Sequence, residues 1–214
     1  MDQLTKIAII GGTGKSGKYL VKQLISEGFQ LKLLVRDPAK VPYKSPQVET
    51  IKGNVATFQD VYNLIFGAGA VISTLGLGIP VSEPTIFSTA THNIIRAMRE
   101  LNVHRYIVTT GLNVDTPFDN KSIHTAAKTE WMKSNFPLST ADKQKEYELL
   151  AASNIDWTMV RLPVIEQTDQ VVPVTTSLED CPGEQISAAS LAIFLISQIT
   201  DREFIRKAPF IANA

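Results

Sequence analysis

The sequence predicts an α/β fold, a doubly wound parallel sheet with helices on both faces in a single domain. Three observations predict it. Short apolar runs alternate with amphipathic stretches along the chain, the pattern of parallel strands joined by covering helices. The apolar runs are β-branched or Leu-rich without strict alternation, as strands buried on both faces are. Finally, 214 residues at 44% hydrophobic content can bury one sizeable core, and chains split into domains only well above this length.

In chain order, strands are expected at Lys6 to Ile10, Leu31 to Val35, Val48 to Lys52, Ala70 to Thr74, Tyr106 to Thr109, Trp157 to Arg161 and Pro209 to Ala212. Between them lie helices at Gly14 to Glu27, Thr57 to Phe66, Glu83 to Leu101, Ala141 to Ser153 and Ser187 to Ile199, each long enough for a right-handed crossover. Two stretches break this rhythm. Leu112 to Leu138 holds Pro117, Phe118, a further helix from Ser122 to Lys133 and then Pro137, and Val164 to Gln185 carries Pro173, Pro182 and Gly183. They read as an irregular, substrate-side rim over the carboxyl ends of the strands, within one domain spanning 1–214. No repeat, low-complexity tract or linker marks a second domain.

Composition narrows the partner. Lys plus Arg and Asp plus Glu balance at 21 each, so no global field draws the chain to nucleic acid or to an anionic membrane, and a small molecule is the expected partner. The one cysteine, Cys181, excludes an internal disulfide framework and a Cys-rich zinc site. His92, His104 and His124 lack ligand spacing and hydrolytic partners, so no metal is expected. The chain opens Met1-Asp2-Gln3-Leu4-Thr5-Lys6, and its first apolar run is too short for a signal-peptide core or a membrane span, which makes the cytoplasm the default expectation.

The strongest chemical signal is Ile7-Ala8-Ile9-Ile10-Gly11-Gly12-Thr13-Gly14-Lys15-Ser16-Gly17, a buried strand running into a glycine-rich turn and then a helix. Glycine permits positive φ and close backbone approach to a pyrophosphate, and the helix N-terminus supplies N–H groups to the phosphates. The stretch reads as the cofactor loop of a Rossmann-type fold, with a merely tight strand-to-helix turn as the alternative, and it is not a Walker loop, since Lys15 precedes the last glycine. The second strand ends at Arg36, where an acidic residue holds the ribose hydroxyls in NAD-binding proteins. An arginine suits a 2′-phosphate, with Lys40 one turn on adding charge and Asp37 arguing weakly the other way. NADP(H) is therefore the expected cofactor, with NAD(H) as the alternative.

These residues, with Val35-Arg36-Asp37, Gly53-Asn54-Val55, Val71-Ile72-Ser73-Thr74-Leu75-Gly76, Tyr106-Ile107-Val108-Thr109-Thr110-Gly111 and Ile155 to Pro163, resemble the atypical short-chain dehydrogenase/reductase proteins of the NAD(P)H-binding, NmrA-like group, which includes flavin and biliverdin-IXβ reductases. The resemblance covers nearly the whole chain. It implies that the cofactor meets Gly11, Gly12, Thr13, Gly14, Lys15, Ser16, Gly17, Arg36, Asn54, Val55, Ser73, Thr74, Leu75, Gly76, Thr109 and Lys143. Asn54 stands where the family has Asp, and its amide oxygen is expected to accept from the adenine amino group instead. Thr109 and Thr110 end the fifth strand, where the superfamily places a hydroxyl near the nicotinamide, although threonines also simply suit a strand end.

The superfamily's Tyr-x-x-x-Lys pair is absent. Lys143 falls at the lysine position and Ser139 at the tyrosine position, while Tyr147 is expected to share the helical face of Lys143 and reach a substrate. The bland alternative makes Lys143 and Tyr147 surface positions of an amphipathic helix. Thr110, Lys143 and Tyr147 are thus the catalytic candidates, with His124 and the aromatic residues Phe118, Trp131 and Phe136 of the irregular stretch nearby. The function implied is an NADPH-dependent reductase passing hydride to a small conjugated acceptor such as a flavin, quinone or related carbonyl compound. The alternative is a non-catalytic NADP(H)-binding redox sensor that signals to a protein partner. A nucleotide-sugar epimerase or dehydratase ranks last, because the chain is short for a sugar domain.

Overall fold

Ten strands and six α-helices alternate in the computed structural model, which describes residues 6–78 and 82–214. The first half runs β1 (Ile7–Ile10), α1 (Gly17–Ser26), β2 (Leu31–Val35), a 3-10 turn (Pro38–Lys40), β3 (Val48–Lys52), α2 (Phe58–Ile65), β4 (Ala70–Ser73), α3 (Ile86–Leu101) and β5 (Arg105–Gly111). The second runs α4 (Ile123–Asn135), α5 (Pro137–Ala151), β6 (Asp156–Leu162), β7 (Val164–Glu166), β8 (Val174–Ser177), β9 (Gln185–Ser187), α6 (Ala188–Ser197) and β10 (Phe210–Asn213).

Eight of the strands form one sheet in the order β3-β2-β1-β4-β5-β6-β10-β8, parallel throughout except for β8 against β10, and β7 pairs with β9 alone. Strand order reverses between β1 and β4, which opens a crevice at their carboxyl ends. Side chains alternate between the two faces. Ala8, Ile10, Val71, Val108 and Met159 pack with Leu64, Ile94 and Leu150 of α2, α3 and α5, while Ile7, Ile9, Leu33, Ile72, Ile107 and Val160 pack with Leu20, Leu24, Leu191 and Leu195 of α1 and α6. Each such Ile or Leu contributes about 1.5–3 kcal/mol by leaving water, so the strands lie fixed beneath whatever binds at their ends.

Three elements depart from the sequence expectation. The first helix begins at Gly17 rather than Gly14, because residues 11–16 are spent on the loop before it. Pro137, expected in the irregular stretch, opens α5 four residues before Ala141, since its fixed φ and missing N–H suit the first helical turn. The stretch from Val164 to Gln185 contains β7, β8 and the start of β9, which at three or four residues are too short to show a period. Pro173 directly precedes the outermost strand, β8, a place where proline costs no ladder bond.

One buried cation ties these irregular stretches to the sheet. Arg161 on β6 is fully buried, and its Nη1 donates to Asp119 Oδ1 at 2.6 Å and to the Val114 carbonyl at 3.3 Å. Nη2 donates to the Leu178 carbonyl at 3.0 Å and Nε to that of Ala208 at 2.8 Å, with the guanidinium 3.5 Å over the Phe210 ring. Lys121 and Thr129 hold the same turn from the other side by donating to the Leu112 carbonyl at 3.0 and 2.8 Å. Among the described residues no helix is long and apolar enough to cross a membrane. Residues 1–5, which bear on the expectation about a leader, lie outside the described residues.

Candidate cofactor site

The glycine loop is shaped by what it packs against. Gly11 has φ +76°, and a Cβ there would sit 2.6 Å from the Thr74 carbonyl oxygen. A Cβ on Gly12 would lie 2.4 Å from Leu33 Cδ1, and one on Gly17 would lie 2.1 Å from the Gly11 carbonyl oxygen and 2.8 Å from Thr74 Oγ1. These three glycines seat the loop between β1, β2 and β4. Gly14 differs, since a Cβ there would meet only the Gly11 oxygen, at 3.1 Å. Thr13, Gly14 and Lys15 are exposed and form the loop's outer rim.

The loop is closed by the Gly14 N–H donating to the Gly11 carbonyl at 2.9 Å. Tyr43 steadies it from the flank, its hydroxyl donating to the Gly12 carbonyl at 2.8 Å, and burial pushes that hydroxyl's pKa up to about 12 so that it stays a donor. Ser16, at the N-cap of α1, is itself helical at φ −88° and ψ −35° and makes no side-chain cap bond. The first turn of α1 is closed instead by the loop's own backbone, Lys18 N–H donating to the Gly14 carbonyl and Tyr19 N–H to that of Ser16, each at 3.1 Å, with the positive end of the helix dipole beneath the loop. A groove of about 600 Å³ lies beside the loop, over α1, lined by Lys18, Lys22, Tyr43, Lys44 and Asp169.

Arg36 and Asn54 end neighbouring strands, joined by the Gly53 N–H donating to the Val35 carbonyl at 2.9 Å, and both are exposed. Asp37 has a local task, its carboxylate accepting from the Ala39 N–H at 3.1 Å at the N-cap of the 3-10 turn. That accounts for an acid beside the arginine. The Lys40 side chain lies outside the described part. Asn54 Oδ1 already accepts from the Ala56 N–H at 3.0 Å, closing an Asx turn, so one of its lone pairs is spent. Its own N–H donates to Asp60 Oδ2 at 2.8 Å, a carboxylate the sequence reading missed. Val55 is buried, and its carbonyl accepts from Asn93 Nδ2 at 3.0 Å.

Ser73 and Thr74 are buried at the end of β4, and Thr74 donates its N–H to the Ile10 carbonyl at 3.0 Å. They form the wall behind the loop, while half-buried Leu75 and exposed Gly76 form its lip. One strand over, Thr109 and Thr110 are buried. Thr110 Oγ and Nδ2 of the buried Asn113, which the sequence reading also missed, have no hydrogen-bond partner among the described residues. An unpaired buried polar group costs about 1–3 kcal/mol, and at Thr110 and Asn113 that cost falls at and just beyond the carboxyl end of β5.

Lys143 is brought to this point by α5. Its Nζ donates to the Thr109 carbonyl at 3.0 Å and to Glu146 Oε2 at 2.8 Å, and lies 4.0 Å over the Phe87 ring. It is buried rather than a surface residue. Asp142 beside it holds the N-terminus of α3, accepting from the Phe87 and Ser88 N–H groups at 2.8 and 3.2 Å. Tyr147 is half-buried and packs edge-on against Trp157 with ring centres 6.0 Å apart. Burial raises its pKa, the Arg161 charge lowers it and Asp119 raises it again. Ser139 is turned back on its own helix, donating to the Phe136 carbonyl at 3.2 Å.

The expected rim is only partly built of free aromatic faces. Phe118, Trp131 and Phe136 are all exposed, with Trp131 and Phe136 in edge contact at 5.8 Å. His124 is exposed and pairs with Glu184. His92 and His104 are exposed on α3 and in the turn before β5, and among the described residues no cluster of His, Cys, Asp and Glu has the makings of a metal site.

The sequence profile of a family described as NAD(P)H-binding matches residues 11–202. An uncharacterised chloroplastic protein of Arabidopsis thaliana is 27% identical over 165 residues, covering 73% of this chain and 58% of that protein. An isoflavone reductase homologue of Nicotiana tabacum is 32% identical over 126 residues, covering 54% of this chain and 38% of its own length. The matches thus span between 38% and 58% of these two relatives. A short-chain dehydrogenase/reductase of Veillonella parvula, solved in complex with NADP, superposes with a TM-score of 0.75 at 17% identity, covering 99% of this chain and 95% of that one. With a family match that runs from the first glycine of the loop almost to the last strand, the chain belongs to the NAD(P)H-binding family.

Proposed function

We propose that the protein is an NADPH-dependent reductase that passes hydride to a small conjugated acceptor, a flavin, quinone or related carbonyl compound. The observation that carries this reading is exposed Arg36 just past the end of β2, the strand paired with the β1 that feeds the glycine loop, with Asp37 bound into its own turn. A guanidinium there pairs with a 2′-phosphate through charge-assisted hydrogen bonds, where an NAD site needs a carboxylate for the ribose hydroxyls. A relative named as an isoflavone reductase homologue and a structure solved with NADP support the same direction.

In this reading the loop from Gly11 to Gly17 holds the pyrophosphate through main-chain N–H groups, Asn54 and Val55 border the adenine, and Ser73 to Gly76 run along the ribose. Thr109 places Lys143, whose third N–H hydrogen reaches the nicotinamide ribose. The Thr110 hydroxyl and the Asn113 amide satisfy a carboxamide or an acceptor carbonyl. When bound, NADPH supplies the hydride, and the protein orients it and excludes water. The one proton that completes the reduction after hydride transfer comes from solvent, because Ser139 is no phenolic acid and Tyr147 packs on Trp157. The segments 112–138 and 164–185 rim the acceptor side, with Trp131 and Phe118 available to a planar ring.

A second reading has one observation in its favour. The best catalytic candidate, Lys143, is bonded to its own protein at two of its three hydrogens, which suits a binding module that senses NADP(H) without turnover. Oxidation of NADPH and NADH by the purified protein with FMN, FAD, a quinone and a dichlorophenol dye, beside cofactor titration, decides between them. Turnover preferring NADPH is expected. Tight binding without turnover transfers the conclusion to the sensor, and no binding of either nucleotide overturns both.

A further inference from the structure

We propose that Glu146 is a positioning residue: a buried carboxylate that fixes the Lys143 ammonium against the end of β5 and keeps it charged where the cofactor's ribose lies. The inference rests on the role given to Lys143 in the proposed function, and it concerns a residue to which no role has been assigned so far.

Glu146 is only 1% exposed. Its two oxygens are divided between two tasks, Oε2 accepting from Lys143 Nζ at 2.8 Å and Oε1 from the Thr91 hydroxyl at 2.8 Å. Thr91 in turn lies 3.3 Å from the hydroxyl of fully buried Tyr106. On an exposed helix an i,i+3 pair of this kind adds only tenths of a kcal/mol. A desolvated pair is different, because hydrophobic residues of similar volume often do as well or better for stability. Unlike Arg161, whose partners are spread over the turns it ties together, this pair joins residues of one helix and adds little to the fold, while its lysine reaches the end of β5, where desolvated ionisable groups are functional candidates.

The surroundings leave this task to Glu146. Lys143 is faced from α3 by the Phe87 ring and from β5 by the Thr109 carbonyl. The second carboxylate on this stretch of α5, Asp142, is spent on the N–H groups of Phe87 and Ser88 and on the Ser88 hydroxyl. Tyr106, neutral and buried, contributes a hydroxyl through Thr91. Burial pushes the Glu146 carboxyl up from its ordinary range, with the Lys143 charge and the Thr91 hydrogen bond pulling it back. Removing the glutamate's charge therefore takes away the one carboxylate bonded to Lys143 Nζ, in a place with little water to replace it.

The test is Glu146→Gln, which keeps shape and hydrogen-bonding capacity and removes the charge. Lys143 is followed by NMR of protein labelled at lysine Cε, its resonance identified by its loss in Lys143→Arg, with NADPH affinity measured over the same pH range. The Lys143 midpoint is expected to fall by about one unit or more, equivalent to a factor of ten in the protonation equilibrium. Between pH 7 and 10, NADPH affinity is expected to fall more steeply with pH in the variant than in the parent, the gap opening as pH passes the variant's lowered Lys143 midpoint. A merely structural pair shifts the midpoint but leaves the pH dependence of NADPH affinity in the variant parallel to the parent's. An unchanged midpoint overturns the proposal whether or not nucleotide binds, and a shifted midpoint with parallel affinity profiles overturns it as well. If the parent protein binds no NADPH, the proposed function fails while the NMR arm still judges Glu146. Should Glu146→Gln not fold, Thr91→Val withdraws the hydroxyl from Oε1 and is expected to give smaller changes in the same direction, and no change there overturns the proposal.

Discussion

The two ends of the sheet's carboxyl edge are built on opposite plans. At the β1–β2–β3 end the groups offered to a ligand are exposed or main-chain: Thr13 to Lys15, Arg36 and Asn54. At the β5–β6 end they are buried side chains, Thr110, Asn113, Lys143 and Glu146, with Arg161 beneath the turn that follows. The first end is shaped by the absence of side chains, because a Cβ at Gly11, Gly12 or Gly17 meets atoms of β2, β4 or the loop itself. The second is shaped by charges that need partners. An open cradle can be specified by a dozen consecutive residues, whereas a buried polar cluster needs partners tens of residues away.

The largest effect that sharpens this comparison is expected from Arg161→Leu. The change removes a fully buried guanidinium from the carbonyls of Leu178 and Ala208 and from half-buried Asp119, which keeps Thr116 and Lys121 as partners, and breaking such a largely buried pair costs about 3 kcal/mol. Urea unfolding measures it, and a loss below about 1 kcal/mol means that the second end is not built on buried charge. Next is Gly17→Ala, whose Cβ is driven to 2.1 Å from a carbonyl oxygen that cannot move without unseating the loop. About 1–3 kcal/mol of stability is expected to go, together with nearly all NADPH binding. Gly14→Ala, whose Cβ would press on the Gly11 carbonyl oxygen at 3.1 Å rather than clash with it at 2.1 Å, is expected to cost less than Gly17→Ala, about 1 kcal/mol. If the two glycine variants behave alike, the distinction between packed glycines and rim glycine is wrong. Smaller again is Arg36→Ala, expected to weaken NADPH about 10- to 100-fold, the worth of one charge-assisted contact, and to leave NADH unchanged in the same titration. Equal losses for the two nucleotides remove Arg36 as the 2′-phosphate partner.

The two plans also explain what the sequence made legible. The strand, loop and helix from Ile7 to Ser26 follow one another without interruption, so pattern and spacing are enough to read them. Arg36 was legible because a strand end has a fixed place on the edge. Asp60 was missed although it is only six residues from Asn54, since a helix-starting acid looks like an ordinary first-turn residue. Lys143 was found only through the family resemblance that puts it at the lysine position, and its burial was not readable, because its counterparts Phe87 and Thr109 lie 56 and 34 residues away. Asn113 carried no signal at all, as an asparagine after a strand reads as a turn residue.

Tyr147 is the residue on which the comparison rests most delicately, and the smallest effect is expected there. One helical turn beyond Lys143, it was expected to stand on the same face and reach a substrate. The structure sends its ring to Trp157, with the Arg161 and Asp119 charges as its electrostatic neighbours. Its contribution is then the packing of an aromatic ring, which Tyr147→Phe preserves. Activity with the best acceptor is expected to change less than about threefold, well short of the 100-fold or more that loss of a general acid costs. The pH profile matters as much as the size. Burial raises the Tyr147 pKa, so an acid at this position would show as an alkaline limb in kcat/KM that disappears in the phenylalanine variant. A level profile in both proteins leaves the proton to solvent and the buried cluster around Lys143 as the working part of the second end. A limb that vanishes with the hydroxyl moves the chemistry one turn along α5, and makes the lysine and its glutamate part of the scaffold.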